Sequence, residues 1–265
     1  MTTTAVPTKT PTIGERLRDW RQKRRLSQMD LALEAEISTR HLSFLETGRA
    51  TPSRDMVLRL AEQLEIPLRE RNALLLAAGF APVFPERSYD DPGLAAARVA
   101  VEAVLHAHMP FPALAIDRRW TLLASNAGLT PLLAGVAPKL LEGPVNVLRV
   151  SLHPEGVAPR IANLAEWRGH ILSRLRRQLA ESGDAELADL IRELSAYPGG
   201  ETHPRAGEGL IAAPLRLRTP NGELSFLSAT MTFGSPLDVM VSELAIETFL
   251  PADAATARAL QSTSS

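Results

Sequence analysis

Apolar residues recur at helical spacing through the first third of the chain. Ile13, Leu17 and Trp20 form one such stripe and Met56, Leu60, Ala61 and Leu64 another, the i, i+3, i+4 pattern of amphipathic helices. Stops are frequent, at Ser27, Ser38, Gly48, Pro52 and Pro67. The pattern predicts an all-α bundle of five short helices over 12–80. A break follows, where Pro82, Pro85 and Pro92 surround the polar run 86–91, the composition of a linker at 81–93. Beyond it helix and strand signals mix. Residues 94–108 read as a helix, and Ala113–Asp117 and Trp120–Ser125 as two short strands joined by Arg118 and Arg119. Ile161, Leu164, Ile171, Leu175 and Leu179 mark a long amphipathic helix, and Leu187, Leu190, Ile191 and Leu194 a second. The segments 215–220 and 223–233 flank Asn221-Gly222, a pair suited to the positive φ angles of a type I′ hairpin turn. Alternation over 243–250 predicts a last strand, and Asp253 is placed to cap a short terminal helix. The region 94–260 is therefore expected to be α+β with a small antiparallel sheet, between tails at 1–11 (disordered) and 261–265.

A chain of 265 residues suits two domains, and 45% hydrophobic with 22% charged residues is a globular profile. The complete lack of cysteine excludes disulfides, thiol nucleophiles, iron–sulfur clusters and cysteine zinc sites. It fits a reducing, cytoplasmic setting. The longest uncharged stretch, 120–138, is interrupted by Asn126, Gly128, Pro131 and Gly135, so no membrane span is expected. The Thr/Pro-rich start carries Lys9 but no apolar core, so no secretory signal is expected either. Residues 1–80 hold 13 Lys and Arg against 10 Asp and Glu, and the remainder 16 against 20. That excess is too small to argue for nucleic acid by itself, and the arrangement of the charges must carry the case.

The informative segment is 27–54. Ser27 can cap a helix with Leu31 and Ala32 facing inward, and a tight turn at Glu36-Ile37 leads to a second cap at Ser38. In the helix that follows, Leu42 and Leu45 point to the core while Thr39, Arg40, Ser43 and Phe44 point away. Two short helices crossing through a compact turn can place the second in a major groove about 12 Å wide. The elements LSQ (26–28), LA (31–32), IS (37–38), LSFLETGR (42–49), PS (52–53) and LAEQL (60–64) resemble, in order and spacing, the Cro/repressor-type (XRE-like) helix-turn-helix family. The resemblance implies a double-stranded DNA partner. It implies base-edge contacts from Thr39, Arg40, Ser43 and Phe44, with Arg40 suited to guanine. Arg49 and Arg54 would hold phosphates, Gln28 would sit near phosphate at the start of the second helix, and Ser38 would begin the reading helix. It further implies that Arg21 pairs with Glu46 to fix that helix. Where the family commonly has glycine in the turn, this chain has Glu36, which would be strained if φ there is positive. From the residues alone, Phe44 reads equally as a core residue or a groove contact. Lys23, Arg24 and Arg25 read as a solvated run, and His41 as an exposed helix residue.

Catalytic patterns are weak. His106-x-His108 lacks a carboxylate at metal spacing, and Ser151, His153 and Glu155 are sequence neighbours without a nucleophile elbow. No phosphate-binding, dinucleotide or zinc-protease motif occurs, so neither an enzyme nor a cofactor is expected. The tracts FPALAIDRRWTLLASN (111–126), NVLRVSLHP (146–154), IANLAEWR (161–168), GELSFLSATMTFGSPLDV (222–239) and ELAIETFLPAD (243–253) resemble instead the C-terminal domain of MmyB-like transcription regulators. That resemblance implies a PAS-like domain, a sheet with helices on one side, binding a small, largely apolar, fatty-acid-like ligand. Leu114, Ile116, Leu122, Phe226 and Leu227 are the candidate apolar lining, although each can equally fill an ordinary core. Asn126, Asn146, Arg149 and His153 are candidate polar contacts, with Arg149 able to meet a carboxylate or, more simply, a surface acid. Arg174, Arg176 and Arg177 read as a solvated face. The whole suggests a homodimeric repressor reading half-sites about 34 Å apart; the alternative is a regulator whose second half only mediates dimerisation or protein contact.

Overall fold

The computed structural model describes residues 11–202 and 213–262, and the chain divides into two compact units at Glu86/Arg87, with Leu237–Val239 counted in the first. The tails expected at 1–11 and 261–265 lie for the most part outside the described residues.

The first unit holds α1 (Ile13–Lys23), α2 (Gln28–Glu34), α3 (Thr39–Glu46), α4 (Arg54–Gln63) and α5 (Leu68–Ala77). Side-chain caps set four of the five starts. Thr12, Ser27, Ser38 and Ser53 each accept a hydrogen bond from the backbone N–H three residues on, and Glu15 and Asp30 reciprocate to complete capping boxes. The ends are equally defined. After α1, α2 and α4 a non-glycine residue turns left-handed, at Arg25 (φ 59°), Glu36 (φ 54°) and Glu65 (φ 47°). In each case the next residue, Leu26, Ile37 or Ile66, returns its N–H to a carbonyl five residues back, a Schellman closure with its apolar contact. Leu17, Trp20, Leu31, Leu42, Leu45, Leu60 and Leu75 fill the shared core. Gly14 faces the carbonyls of Leu45 and Glu46 so closely that a β-carbon would overlap them, which lets α1 seat directly on the end of α3.

After the first unit come α6 (Ala95–Ala107), β1 (Ala113–Ile116), β2 (Leu122–Ser125), α7 (Val147–Leu152), α8 (Leu164–Ser182), α9 (Ala185–Ala196), β3 (Leu215–Thr219), β4 (Gly222–Thr232), α10 (Val239–Glu243), β5 (Ala245–Pro251) and α11 (Ala254–Ser262), all in the second unit but for the first residue of α10. The strands form one antiparallel sheet of order β2-β1-β5-β4-β3. Strand β1 is buried along its whole length because both faces are covered. Leu114 and Ile116 join a large core with Leu148, Ile171, Leu172 and Leu175, while Ala113 and Ala115 pack with Val101 and Leu105 of α6. Helices thus flank the sheet on two sides, beyond the one-sided arrangement expected. Asp253 caps α11 through Thr256 N–H at 2.7 Å, as its position predicts.

The hairpin between β3 and β4 differs from the predicted turn. Thr219 pairs with Gly222, so the loop residues are Pro220 and Asn221, and Gly222 takes the positive φ, at 123°, as the first residue of β4. Proline's ring fixes φ near −65°, which excludes it from a type I′ centre. The Thr219 hydroxyl accepts from Asn221 N–H at 3.2 Å and donates to Gly222 O at 2.8 Å, closing the turn.

Candidate functional site

Helix α3 presents two faces. Leu42 and Leu45 are buried, whereas Ser38, Thr39 and Arg40 are exposed at its start and Ser43 and Phe44 half-buried further along. Arg49 and Arg54 are also exposed. Phe44 stands outside the core cluster, its ring flanked by the Arg40 guanidinium at 5.3 Å and that of Arg49 at 6.0 Å. The ring therefore groups two cations on the side away from the core, and the core reading of Phe44 gives way. Behind this face, Arg21 of α1 grips Glu46 with Nε at 2.6 Å and Nη2 at 2.9 Å, and its Nη1 donates to Leu26 O at 2.9 Å. Gln28 Nε2 donates to the same carboxylate at 2.8 Å, so this side chain anchors α2 to the end of α3. Burial alone would raise the Glu46 carboxyl; the hydrogen bonds from Arg21 and Gln28 outweigh it and hold the group below the usual glutamate range.

The second unit contains a cavity of about 300 Å³ that is partly open to the surface. Its walls come from β1 (Leu114), β2 (Leu122), the 3₁₀ turn 127–133 (Leu129, Leu132, Leu133), α7 (Val147, Leu148, Val150), α8 (Trp167, Ile171), β3 (Leu215, Leu217) and β5 (Phe249). Of the sequence-derived ligand residues, Leu114 and Leu122 line it. Ile116 and Phe226 are buried in the surrounding core, and Leu227 is half-buried on β4 beyond the lining. The four polar candidates have structural employment. Asn126 accepts from Ala113 N–H at 3.0 Å and donates to Leu105 O and Phe111 O at 3.0 and 2.9 Å. Asn146 caps α7 and donates to Arg119 O at 2.8 Å. Arg149 pairs with Glu193 at 2.8 Å, the surface-acid alternative, and His153 Nδ1 accepts from Glu155 N–H at 3.0 Å.

The polar end of the cavity is built from residues outside the candidate ligand set. Arg174 is no solvated side chain: its Nη2 and Nη1 lie 2.5 and 3.1 Å from the two oxygens of Glu247, which is buried on β5, and Nη2 also donates to Thr230 Oγ1 at 2.9 Å. The Thr230 hydroxyl donates in turn to Glu247 at 2.9 Å. The guanidinium lies 4.5 Å from the Trp120 ring centre. Trp120 itself is held at φ 66° between β1 and β2, and its indole N–H donates to Gln178 Oε1 at 3.0 Å. His170 stacks on Trp167 at 5.5 Å. Burial pushes its imidazole below the ordinary histidine range, and the neighbouring Arg174 and Arg177 push it further, so the ring is neutral near pH 7. The available signal was the spacing 167, 170, 171, 174 on α8, one helical face carrying both apolar and polar groups.

Ser151 Oγ accepts from the Trp167 indole at 3.1 Å, and His108 Nε2 is buried without a hydrogen bond among the described residues. No group of three metal-ligating side chains occurs among the described residues.

Residues 97–262 match the family described as the MmyB-like transcription regulator ligand binding domain, and residues 12–74 match a helix-turn-helix domain. Among solved structures, the restriction-modification controller protein C.AhdI from Aeromonas hydrophila is 34% identical, covering 22% of this chain and 89% of its own length with a TM-score of 0.22. The clp gene regulator ClgR from C. glutamicum is 25% identical, covering 25% of this chain and 83% of its own, with a TM-score of 0.23. No curated protein matches the chain.

Proposed function

The chain belongs to the family of MmyB-like transcription regulators, and from that premise we propose that it is a sequence-specific repressor, acting as a homodimer, whose second unit senses a small apolar ligand of the fatty-acid-like type. At the coarser level it is a DNA-binding transcriptional regulator that joins a helix-turn-helix to a ligand-binding domain. In the proposal, Thr39, Arg40, Ser43 and Phe44 meet base edges, and Ser38, Arg49, Arg54 and the exposed edge of Gln28 lie along phosphates. Two reading helices engage half-sites about one helical turn apart. The setting is cytoplasmic; no helix among the described residues is long and apolar enough to cross a membrane.

The observation that carries the sensing role is the apolar cavity of the second unit. At about 300 Å³ it reaches the lower bound of small-molecule sites, and a second unit serving only association has no use for a hollow core. The ligand acts by favouring one dimer arrangement, with coupling of about 1–3 kcal/mol. Selection of bound oligonucleotides from a random pool, with and without a medium-chain acyl compound, tests both halves. An enriched motif whose affinity shifts with the compound supports the reading; no enriched motif removes sequence-specific repression, and a motif indifferent to every acyl compound leaves the association reading in its place.

A further inference from the structure

Among the described residues, the cavity's cation is already paired. Among its described lining residues Arg174 carries the positive charge, and both terminal nitrogens are engaged by Glu247 and Thr230. A ligand carboxylate would have to displace Glu247, leaving a carboxylate that is only 4% exposed without its partner, or sit as a second anion beside it. Either arrangement is unfavourable in a low-dielectric pocket. Two other polar side chains line the space and make no hydrogen bond among the described residues: the Ser228 hydroxyl and the His170 imidazole. The sheet register explains their company. Thr230 pairs with Glu247 on the β4–β5 ladder, the next same-face pair is Ser228 with Phe249, and the preceding turn of α8 carries His170. A neutral imidazole offers one donor and one acceptor, and a serine hydroxyl offers both.

We propose that the cavity selects uncharged amphiphiles: an apolar chain ending in a neutral hydrogen-bonding head, such as an alcohol or a primary amide, seated at His170 and Ser228 with the Arg174–Glu247 pair intact. The proposal rests on the reading of this cavity as a ligand site and narrows its chemistry, separating a fatty alcohol or amide from the free fatty acid. The same pair makes the pocket's polar end electrically neutral, so selection among chains of equal length is made by the head's charge and by its hydrogen bonds to His170 and Ser228.

The test uses the full-length chain, freed of co-purified lipid, titrated at mildly alkaline pH with the n-alkanol, the primary amide and the carboxylate of one medium chain length. Fluorescence of Trp120 and Trp167, which line the cavity, reports binding. The alcohol and amide are expected to bind at least about tenfold more tightly than the carboxylate, or about 1.4 kcal/mol. Glu247→Gln, which removes the competing anion, is expected to narrow or reverse that ratio, and Ser228→Ala to weaken the alcohol and amide while sparing the carboxylate. A carboxylate that matches or beats the neutral heads in the unmodified protein overturns the proposal whatever the variants do. Binding by none of the three overturns the ligand-site reading itself, a different failure from the wrong order among compounds that bind.

Discussion

Deleting the Glu46 carboxylate, as Glu46→Ala, leaves the Arg21 guanidinium with a single remaining acceptor, Leu26 O at 2.9 Å. The variant removes the bonds at 2.6 and 2.9 Å from Arg21 and the bond at 2.8 Å from Gln28. The side chains of Arg21 and Glu46 are only 11% and 2% exposed, so water cannot replace the lost partner without opening the α1–α3 contact. Breaking a buried pair from one side costs about 3–5 kcal/mol, a large share of the roughly 5–15 kcal/mol that holds a domain folded. Urea unfolding read by hydrogen–deuterium exchange of peptides from α1 and α3 isolates this unit from the other. The double change Arg21→Met/Glu46→Leu should recover most of the loss, because two apolar groups leave no charge stranded. The pH dependence follows from the depressed carboxyl. Its stabilisation is fully present above the unfolded value near about 4.3 and is lost as pH falls through the lower folded value. The acid limb of the unmodified unit should therefore be steeper than that of Glu46→Ala. A loss below about 1 kcal/mol, with an unchanged acid limb, would refute the reasoning.

Glu36→Gly should stabilise the first unit by about 0.5–1 kcal/mol, the relief of a left-handed residue less glycine's added chain entropy; a lower unfolding midpoint would contradict it. Arg40→Ala should cost about 1–3 kcal/mol at one base position and relax preference there, whereas Arg49→Ala should weaken all sequences alike and flatten the salt dependence. Equal losses on specific and random duplexes for Arg40→Ala would remove it from the reading face. Leu148→Trp should abolish ligand-induced fluorescence change yet destabilise by less than the roughly 1–3 kcal/mol of ordinary overpacking, since the room exists. Arg168→Met should cost about 2–3 kcal/mol in thermal unfolding of the second unit, because Arg168 donates to the carbonyls of Ser195, Tyr197 and Pro198 where α9 ends; an unchanged midpoint would sink that account.

The five helices of the first unit were legible because their signals are local. A cap such as Ser27 and the residue it caps lie three positions apart, and the Leu42/Leu45 stripe is one turn long. The Arg21–Glu46 link was implied by resemblance alone, as its partners are twenty-five residues apart. In the second unit the strands were legible from composition, the Asn221-Gly222 turn and the alternation over 243–250, but the cavity's polar end was not. Arg174 looked like one of a run of surface arginines, and its partner Glu247 lies seventy-three residues on, brought opposite only by the β4–β5 register. The asparagines failed as ligand candidates for the converse reason. Asn126 and Asn146 carry the hydrogen-bonding capacity a ligand would want, and the backbone consumes it. Nor does periodicity foresee Trp120 in a left-handed turn, where Asp117 Oδ1 accepts from Arg119 and Thr121 N–H and holds the loop shut.

The central position of β5 has a consequence for biosynthesis. Translation delivers β1 with β2, and later β3 with β4, as two separate hairpins, and the strand that bonds to both arrives only when residues 245–251 leave the ribosome. Until then the nascent chain carries two open edges, each missing the partner that hides its amide groups. A product terminated between Thr232 and Ala245 keeps both edges bare. Such fragments should be the aggregating species when this gene is expressed with a damaged message, while the helical bundle ahead of them folds undisturbed.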